Sequence, residues 1–309
     1  GSVRQPAAHC GVYGLRPTYG RVSRHGLVSY ASSLDTIGWM TRHPADLRVL
    51  LNVLQGVDGK DETIAENPLV TSSAASHKSP YMHQSIKSLT GITIGIPKEY
   101  FVQELQPEIL NSWKETIEKL QKKGAKIKSI SLPHTSVALP TYYVIASAEA
   151  SSNLSRYDGV RYGKNGIGKS TKKSYVDSRT ENFGEEVQRR ILLGTFVLSR
   201  GSFDQFYGQA LQIRQLVVDD FQSVFGSIYY QHPSLKRRKQ RQTNADVDLI
   251  LTPTTPSTAF KLDQINPTEM YAHDVMTVAS SLAGLPAVSM PVASSSATSS
   301  LPVGMQLIA

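Results

Sequence analysis

The chain is poor in cysteine and has no long apolar runs. Cys10 is the one cysteine among 309 residues, so no disulfide can close within the chain. A chain this long builds its core without bridges, and an unbridged thiol fits a reducing compartment such as cytosol or mitochondrial matrix. Cys10 sits in AAHCGVYG, among small and apolar neighbours, and is expected to be a buried structural thiol. No apolar stretch approaches the ~18 residues that would cross a bilayer. No signal or transit peptide is visible, which decides nothing for a chain that starts inside a motif. The common enzyme signatures are missing too: there is no GxSxG elbow, no P-loop and no HExxH. The eight histidines are scattered without metal-ligand spacing. No pair of acids commits to general acid/base work.

What is present is globular in composition: 40% hydrophobic, 19% charged, 22 glycines and 16 prolines. The formal charge of +8 raises the odds of a polyanionic partner without identifying one. Part of it is concentrated in SLKRRKQRQ, residues 234–242. That run reads as a solvated surface loop or as a contact to RNA phosphate or a partner. No aromatic residues are interleaved there to stack on bases.

Order along the chain is alternately strand-like and helical. GLRPTYGRVSRHGLVSYASSLDTIGWMTR reads as short strands and tight loops. HPADLRVLLNVLQG predicts a helix with a broad apolar face of Ala45, Leu47, Val49, Leu50, Leu51, Val53 and Leu54, ended by Gly56. Residues 67–88 are polar and aperiodic and read as a loop. GITIGIPKEYF is a buried strand. PEILNSWKETIEKLQKKG is an amphipathic helix, and AKIKSISLP a second strand, together forming an α/β crossover. Helices follow from Thr141 to about Arg156, in NFGEEVQRRILLGTFVLS and in SFDQFYGQALQIRQLVVDDFQSVF, with a Gly/Lys/Ser stretch at 163–174 before the second. VDLILTPTTP is a strand stopped by prolines, TEMYAHDVMTVASSLAGLP a helix, and AVSMPV and GMQLIA two more strands. The expected class is α/β, a mixed sheet flanked by helices. Without repeat or linker, residues 1–309 are expected to form a single, partial domain.

One stretch carries chemistry. GSVRQPAAHCGVYGLRPTYGRVSRHGL resembles the nucleophile loop of the amidase-signature family, G-G-S-[IV]-R-x-P-A followed by C-G-x-x-G-[LF]-[KR]-P-[ST]. Ser2, Arg4, Pro6, Ala7, Cys10, Gly11, Gly14, Leu15, Pro17 and Thr18 fall on that pattern. Glycines let a turn expose a serine, and backbone N–H groups beside it can form an oxyanion hole. On this resemblance Gly1-Ser2 reads as native sequence and not as a cloning scar, and Ser2 takes the nucleophile's place. Later blocks, GRVSRHGLVSYASSLDTIG, ASAEASSNLSRYDGVRYG, NFGEEVQRRILLGTFVLS and MYAHDVMTVASSLAGLPAVSMPV, are similar to the branch of the family formed by the A subunits of glutamyl-tRNA(Gln) amidotransferases.

That branch implies a glutaminase. The A subunit frees ammonia from glutamine, and a B subunit uses it with ATP and Mg²⁺ to convert Glu-tRNA(Gln) to Gln-tRNA(Gln). A small third subunit, C or the fungal-type F, completes the complex. No cofactor is implied for this chain. The family's other catalytic residues, a lysine base and a serine after a cis peptide, lie upstream of the nucleophile, so the chain alone is expected to be inactive. Substrate contacts map to Tyr142, Arg190 and Asp274. Arginine suits an α-carboxylate through its fork of donors, and aspartate an α-ammonium. Each has a structural alternative: Tyr143 for Tyr142, the adjacent Arg189 for Arg190, and an ordinary solvated helix acid for Asp274. Arg4 is expected to make a structural ion pair that braces the loop, and Asp35 to fix a loop. Two other readings stay open, a non-catalytic scaffold and a stand-alone amidase. Loop 72–88 and the insertion at 228–246 depart from the compact bacterial pattern and point to a mitochondrial matrix protein, with bacterial cytoplasm as the alternative.

Overall fold

Continuous apolar runs such as TIGIP and LILTP are what a strand buried on both faces requires, and they form the middle of the fold. The computed structural model describes residues 1–64, 88–165, 170–225, 247–261, 271–292 and 301–309. The basic run at 234–242 and most of the polar loop at 67–88 lie outside these residues. Among the described residues there are seven strands: β1 (Tyr13–Arg16), β2 (Trp39–Thr41), β3 (Thr93–Pro97), β4 (Lys126–Ile130), β5 (Leu249–Pro253), β6 (Ala287–Val292) and β7 (Val303–Ile308). They form a sheet in the order β2-β1-β6-β7-β5-β3-β4. β3 pairs in parallel with β4 and β5, and the remaining pairs are antiparallel. The sheet is therefore mixed, as the sequence predicts.

The helices follow their apolar spacing where they have it. α1 (Arg4–Cys10) lies against β1, β6 and β7. α2 (Pro44–Leu54) starts on proline and rests on β1 and β2. Its predicted broad apolar face is not covered: Leu47 is buried, while Val53 is 73% exposed. The physical reason is position, since β2 is the edge strand and only one side of the helix meets the sheet. α3 (Pro107–Lys122) buries Ile109, Ser112, Trp113 and Thr116, an i, i+3, i+4, i+7 stripe, and makes the crossover between β3 and β4. α4 (Ala138–Leu154), α5 (Thr171–Asn182), α6 (Glu185–Val197), α7 (Gln209–Phe225) and α8 (Val275–Leu282) complete the described helices. A π-helical turn, Asp204–Gly208, leads into α7.

α5 departs from the sequence reading, which ends its polar stretch at 174. TKKSYVDSRTEN has no apolar stripe and buries only Ser178. Its start is set by Ser170, whose side chain accepts from the Lys173 N–H at 3.3 Å.

The chain divides into two compact units. The first comprises Gly1–His25, Thr36–Leu139 and Gln215–Ala309, and holds the sheet. The second comprises Gly26–Asp35 and Pro140–Arg214 and is mainly helical.

Candidate active site

In the first unit, Ser2 is exposed and lies two residues before α1. α1 buries Arg4, Ala7 and Ala8 on one face. The small alanines matter because the helix rides unusually close to the sheet. A Cβ built on Gly304 of β7 would lie 2.4 Å from the Ala8 Cβ, nearer than real Cβ atoms come. Cys10 is exposed, contrary to its expected burial. It sits about 200° around the helix from Ala8 at 100° per residue, on the face turned away from the sheet.

Arg4 fixes the start of α1. Its guanidinium is buried, and Nη1 donates to Ser280 Oγ (2.7 Å) and Gln306 Oε1 (2.8 Å). Nη2 donates to Thr277 O (2.7 Å) and Ser281 Oγ (2.8 Å). Gln306 is itself fully used: its Nε2 donates to Thr252 Oγ1, Pro253 O and Met276 O. The sequence reading expects an ion pair here. Instead all four acceptors are neutral, and no described carboxylate makes a salt bridge with Arg4. Burial pushes the pKa of Arg4 down to about 10, opposed by the nearby Tyr100 and Asp274. The guanidinium braces α1 against α8 and β7.

Asp274 stands at the N-cap of α8. Its Oδ1 accepts from the Gly1 α-amino group at 2.5 Å, which brings the carboxylate beside the Ser2 turn. Behind α1, the ring of His9 meets Phe260 edge-on at 5.8 Å and lies 6.3 Å from the ring of His273. Among the described residues no group of three metal-ligating side chains comes together.

In the second unit, the α6 sequence EEVQRRILLG sets two adjacent arginines on different sides of the helix. Arg189 is exposed and pairs with Glu186. Arg190 turns inward: its Nε donates to Glu186 Oε1 (2.7 Å) and its Nη1 to the Tyr30 hydroxyl oxygen (2.6 Å). Its Cζ lies 5.7 Å from the Tyr30 ring centroid and 5.4 Å from that of Tyr143. Burial works against the charge of Arg190, but Tyr30 and Glu186 outweigh it and hold the pKa above the usual arginine value. Tyr142 packs edge-on against Tyr143 at 5.1 Å. Gly194, one turn after Arg190, lets α6 approach α4 closely, since a Cβ there would fall 2.0 Å from Ser147 O.

The loop that carries Tyr30 is pinned within the same unit. Asp35 accepts from the N–H groups of Tyr30 (2.9 Å) and Ala31 (3.1 Å), which is the loop-fixing role expected of it. Asn153 Nδ2 donates to Tyr30 O at 3.0 Å. Ser33 N donates to Glu149 (2.8 Å), and Arg214 donates to Ser33 Oγ (2.7 Å) and Ser33 O (3.0 Å).

A family model described as Amidase matches residues 1–309. The chain belongs to the amidase family. Curated proteins similar to this amidase include the A subunit of the mitochondrial glutamyl-tRNA(Gln) amidotransferase of Dictyostelium discoideum, 42% identical over 341 residues, covering 100% of this chain and 59% of that protein. The A subunit of the glutamyl-tRNA(Gln) amidotransferase of Fusobacterium nucleatum is 44% identical over 310 residues, covering 100% of this chain and 57% of its own. The crystal structure of the corresponding A subunit from Thermotoga maritima superposes with a TM-score of 0.70 at 33% identity, over 100% of this chain and 56% of that one. The amidase thus spans a little under three fifths of the length of the curated relatives it matches.

Of the residues predicted in this amidase from sequence, Ser2 and Asp274 share the first unit, and Tyr142 and Arg190 the second. Tyr30 and Glu186 escaped the sequence reading, which names Tyr143 only as the alternative to Tyr142. The spacing of Glu186 and Arg190, i to i+4, is a legible helix pairing signal. Nothing local marks Tyr30, which is 160 residues from its partner.

Proposed function

We propose that this chain is part of the A subunit of a glutamyl-tRNA(Gln) amidotransferase and acts as its glutaminase. Ser2 Oγ attacks the side-chain amide carbon of glutamine. The C–N bond breaks, ammonia leaves with the serine proton, and water then cleaves the acyl-serine to glutamate. The ammonia serves the conversion of Glu-tRNA(Gln) to Gln-tRNA(Gln), for which ATP and Mg²⁺ belong to a partner B subunit. A third subunit, C or fungal-type F, completes the proposed heterotrimer. The departures at 72–88 and 228–246 favour a mitochondrial matrix location. Among the described residues no helix is long and apolar enough to cross a membrane.

What supports the reading is a sheltered arginine in the helical unit and a sheltered aspartate in the sheet unit, the two charges that binding a free α-amino acid calls for. Arg190 is 22% exposed and Asp274 17%. In the proposal Arg190 takes the α-carboxylate of glutamine, Asp274 its α-ammonium, and Tyr142 makes a further contact. A simple apolar amide needs neither charge.

A second reading, a non-catalytic scaffold, draws on a different observation. Among the described residues no side chain hydrogen-bonds Ser2 Oγ, and a serine without a base is a weak nucleophile at neutral pH. On the proposed reading the 309-residue chain by itself is expected to be inactive as a glutaminase.

Ser2→Ala in the complete complex decides between the readings. Glutamine-dependent amidation of Glu-tRNA(Gln) is expected to fall by as much as about 10⁶ in rate, while amidation driven by added ammonium salt stays. Undiminished glutamine-dependent activity would leave the scaffold reading standing.

A further inference from the structure

Arg190 is more constrained than a residue that only waits for a carboxylate. Glu186 occupies its Nε, Tyr30 occupies one hydrogen of Nη1, and the tyrosine rings of Tyr30 and Tyr143 flank its plane. Glu186 also cancels part of its charge. Attraction by net charge is therefore weakened, and recognition of a carboxylate rests on the donors still to spare. These include the hydrogens of Nη2.

Tyr30 supplies one more. A hydroxyl has one hydrogen to donate and two lone pairs to accept with. The oxygen of Tyr30 accepts from Arg190 Nη1 at 2.6 Å, and the hydroxyl hydrogen donates in no described bond. Because an accepting oxygen is polarised by the guanidinium, its own hydrogen becomes a better donor. Burial, the largest influence, keeps the phenol protonated by raising its pKa, although Arg190 pulls the other way. Fold support for Tyr30 comes through its backbone, held by Asp35 and Asn153. The hydroxyl does no evident work for the loop.

We infer that the Tyr30 hydroxyl is a second donor to the α-carboxylate of the substrate, one carboxylate oxygen bonding to Arg190 and the other to Tyr30. The inference rests on the assignment of Arg190 to that carboxylate. It makes Tyr30 a specificity-determining residue, since a substrate without the carboxylate gains nothing from it.

The test is Tyr30→Phe beside Arg190→Lys, each in the complete complex, with glutamine KM, kcat and the thermal midpoint measured for both. Phenylalanine keeps the ring over Arg190 and removes only the hydroxyl. Losing one hydrogen bond to a charged group should raise glutamine KM roughly tenfold or more, with kcat held within about twofold and the thermal midpoint unmoved. A glutamine KM unchanged in Tyr30→Phe but raised in Arg190→Lys overturns the role of Tyr30 and leaves that of Arg190. An unchanged KM in Arg190→Lys overturns the assignment of Arg190, and the inference with it. A fall in thermal midpoint accompanied by losses in both KM and kcat for Tyr30→Phe assigns Tyr30 to packing and overturns the inference as well.

Discussion

Two arginines divide the molecule's chemistry between them. Arg4, in the sheet unit, is 1% exposed, and both of its terminal nitrogens are used twice, on neutral oxygens from α8 and β7. Arg190, in the helical unit, is partly open, balanced by a carboxylate and gripped by aromatic faces, with donors to spare. The difference teaches how to read a buried cation. An arginine whose terminal donors are all engaged by fixed oxygens belongs to the framework. An arginine half engaged and half open is available to a ligand. The same contrast separates the two neighbourhoods as wholes: the Ser2 turn depends on rigid seating, the Arg190 patch on donors held ready.

The largest test of that contrast is Arg4→Ala. It removes a big buried side chain and strands four acceptors, so the full-length protein should lose about 3–5 kcal/mol of stability in urea unfolding. Arg190→Ala, at a partly exposed position, should cost about 1 kcal/mol or less while damaging glutamine KM. Equal losses from the two would break the distinction. Next in size is Gly304→Ala, which forces a methyl against Ala8. Overpacking of this kind costs about 1–3 kcal/mol, and under the proposed function the glutaminase rate should fall with it because Ser2 lies just before α1. Unaltered stability would mean the helix has room to shift.

The smallest effect sharpens the comparison through pH. The buried Nε2 of His9 has no hydrogen-bond partner among the described residues. Burial first, and His273 second, lower its pKa below the ordinary 6.5. The unfolded chain then takes up the proton more readily than the folded one. The contribution of His9 is fully present above pH 6.5 and is lost as pH falls through that value towards the lower folded pKa. Thermal midpoints followed from neutral into mildly acidic buffer should decline, and His9→Phe should flatten the decline. An unchanged slope in the variant would assign the pH response elsewhere.

Much of the fold was legible because its signals are local. The apolar runs of β3, β5, β6 and β7, the stripe of α3 and the spacing around Ser2 all lie within windows of a few residues. What was not legible depends on distance or on neighbours. The partners of Arg4 lie up to 302 residues away, so an arginine expected to find a carboxylate finds serines and a glutamine instead. The exposure of Cys10 depends on which face of α1 meets the sheet, which no neighbour in AAHCGVYG reveals. α2 carries a broad apolar pattern that an edge position leaves mostly open. α5 is a helix without an amphipathic signal. At the Arg190 patch, the arginine itself could be singled out, but not the tyrosine that holds it.

The strand order has a consequence in time. β1, next to the serine helix, pairs with β6, and the brace of that helix hangs from β7. During synthesis the Ser2 segment leaves the ribosome long before these strands exist. Pairings so distant in sequence form slowly, because the chain between them must be ordered first. Ser2, the proposed nucleophile, is made early and seated late. Until residues 287–308 arrive, a nascent chain carries Ser2 without the strands that seat its helix.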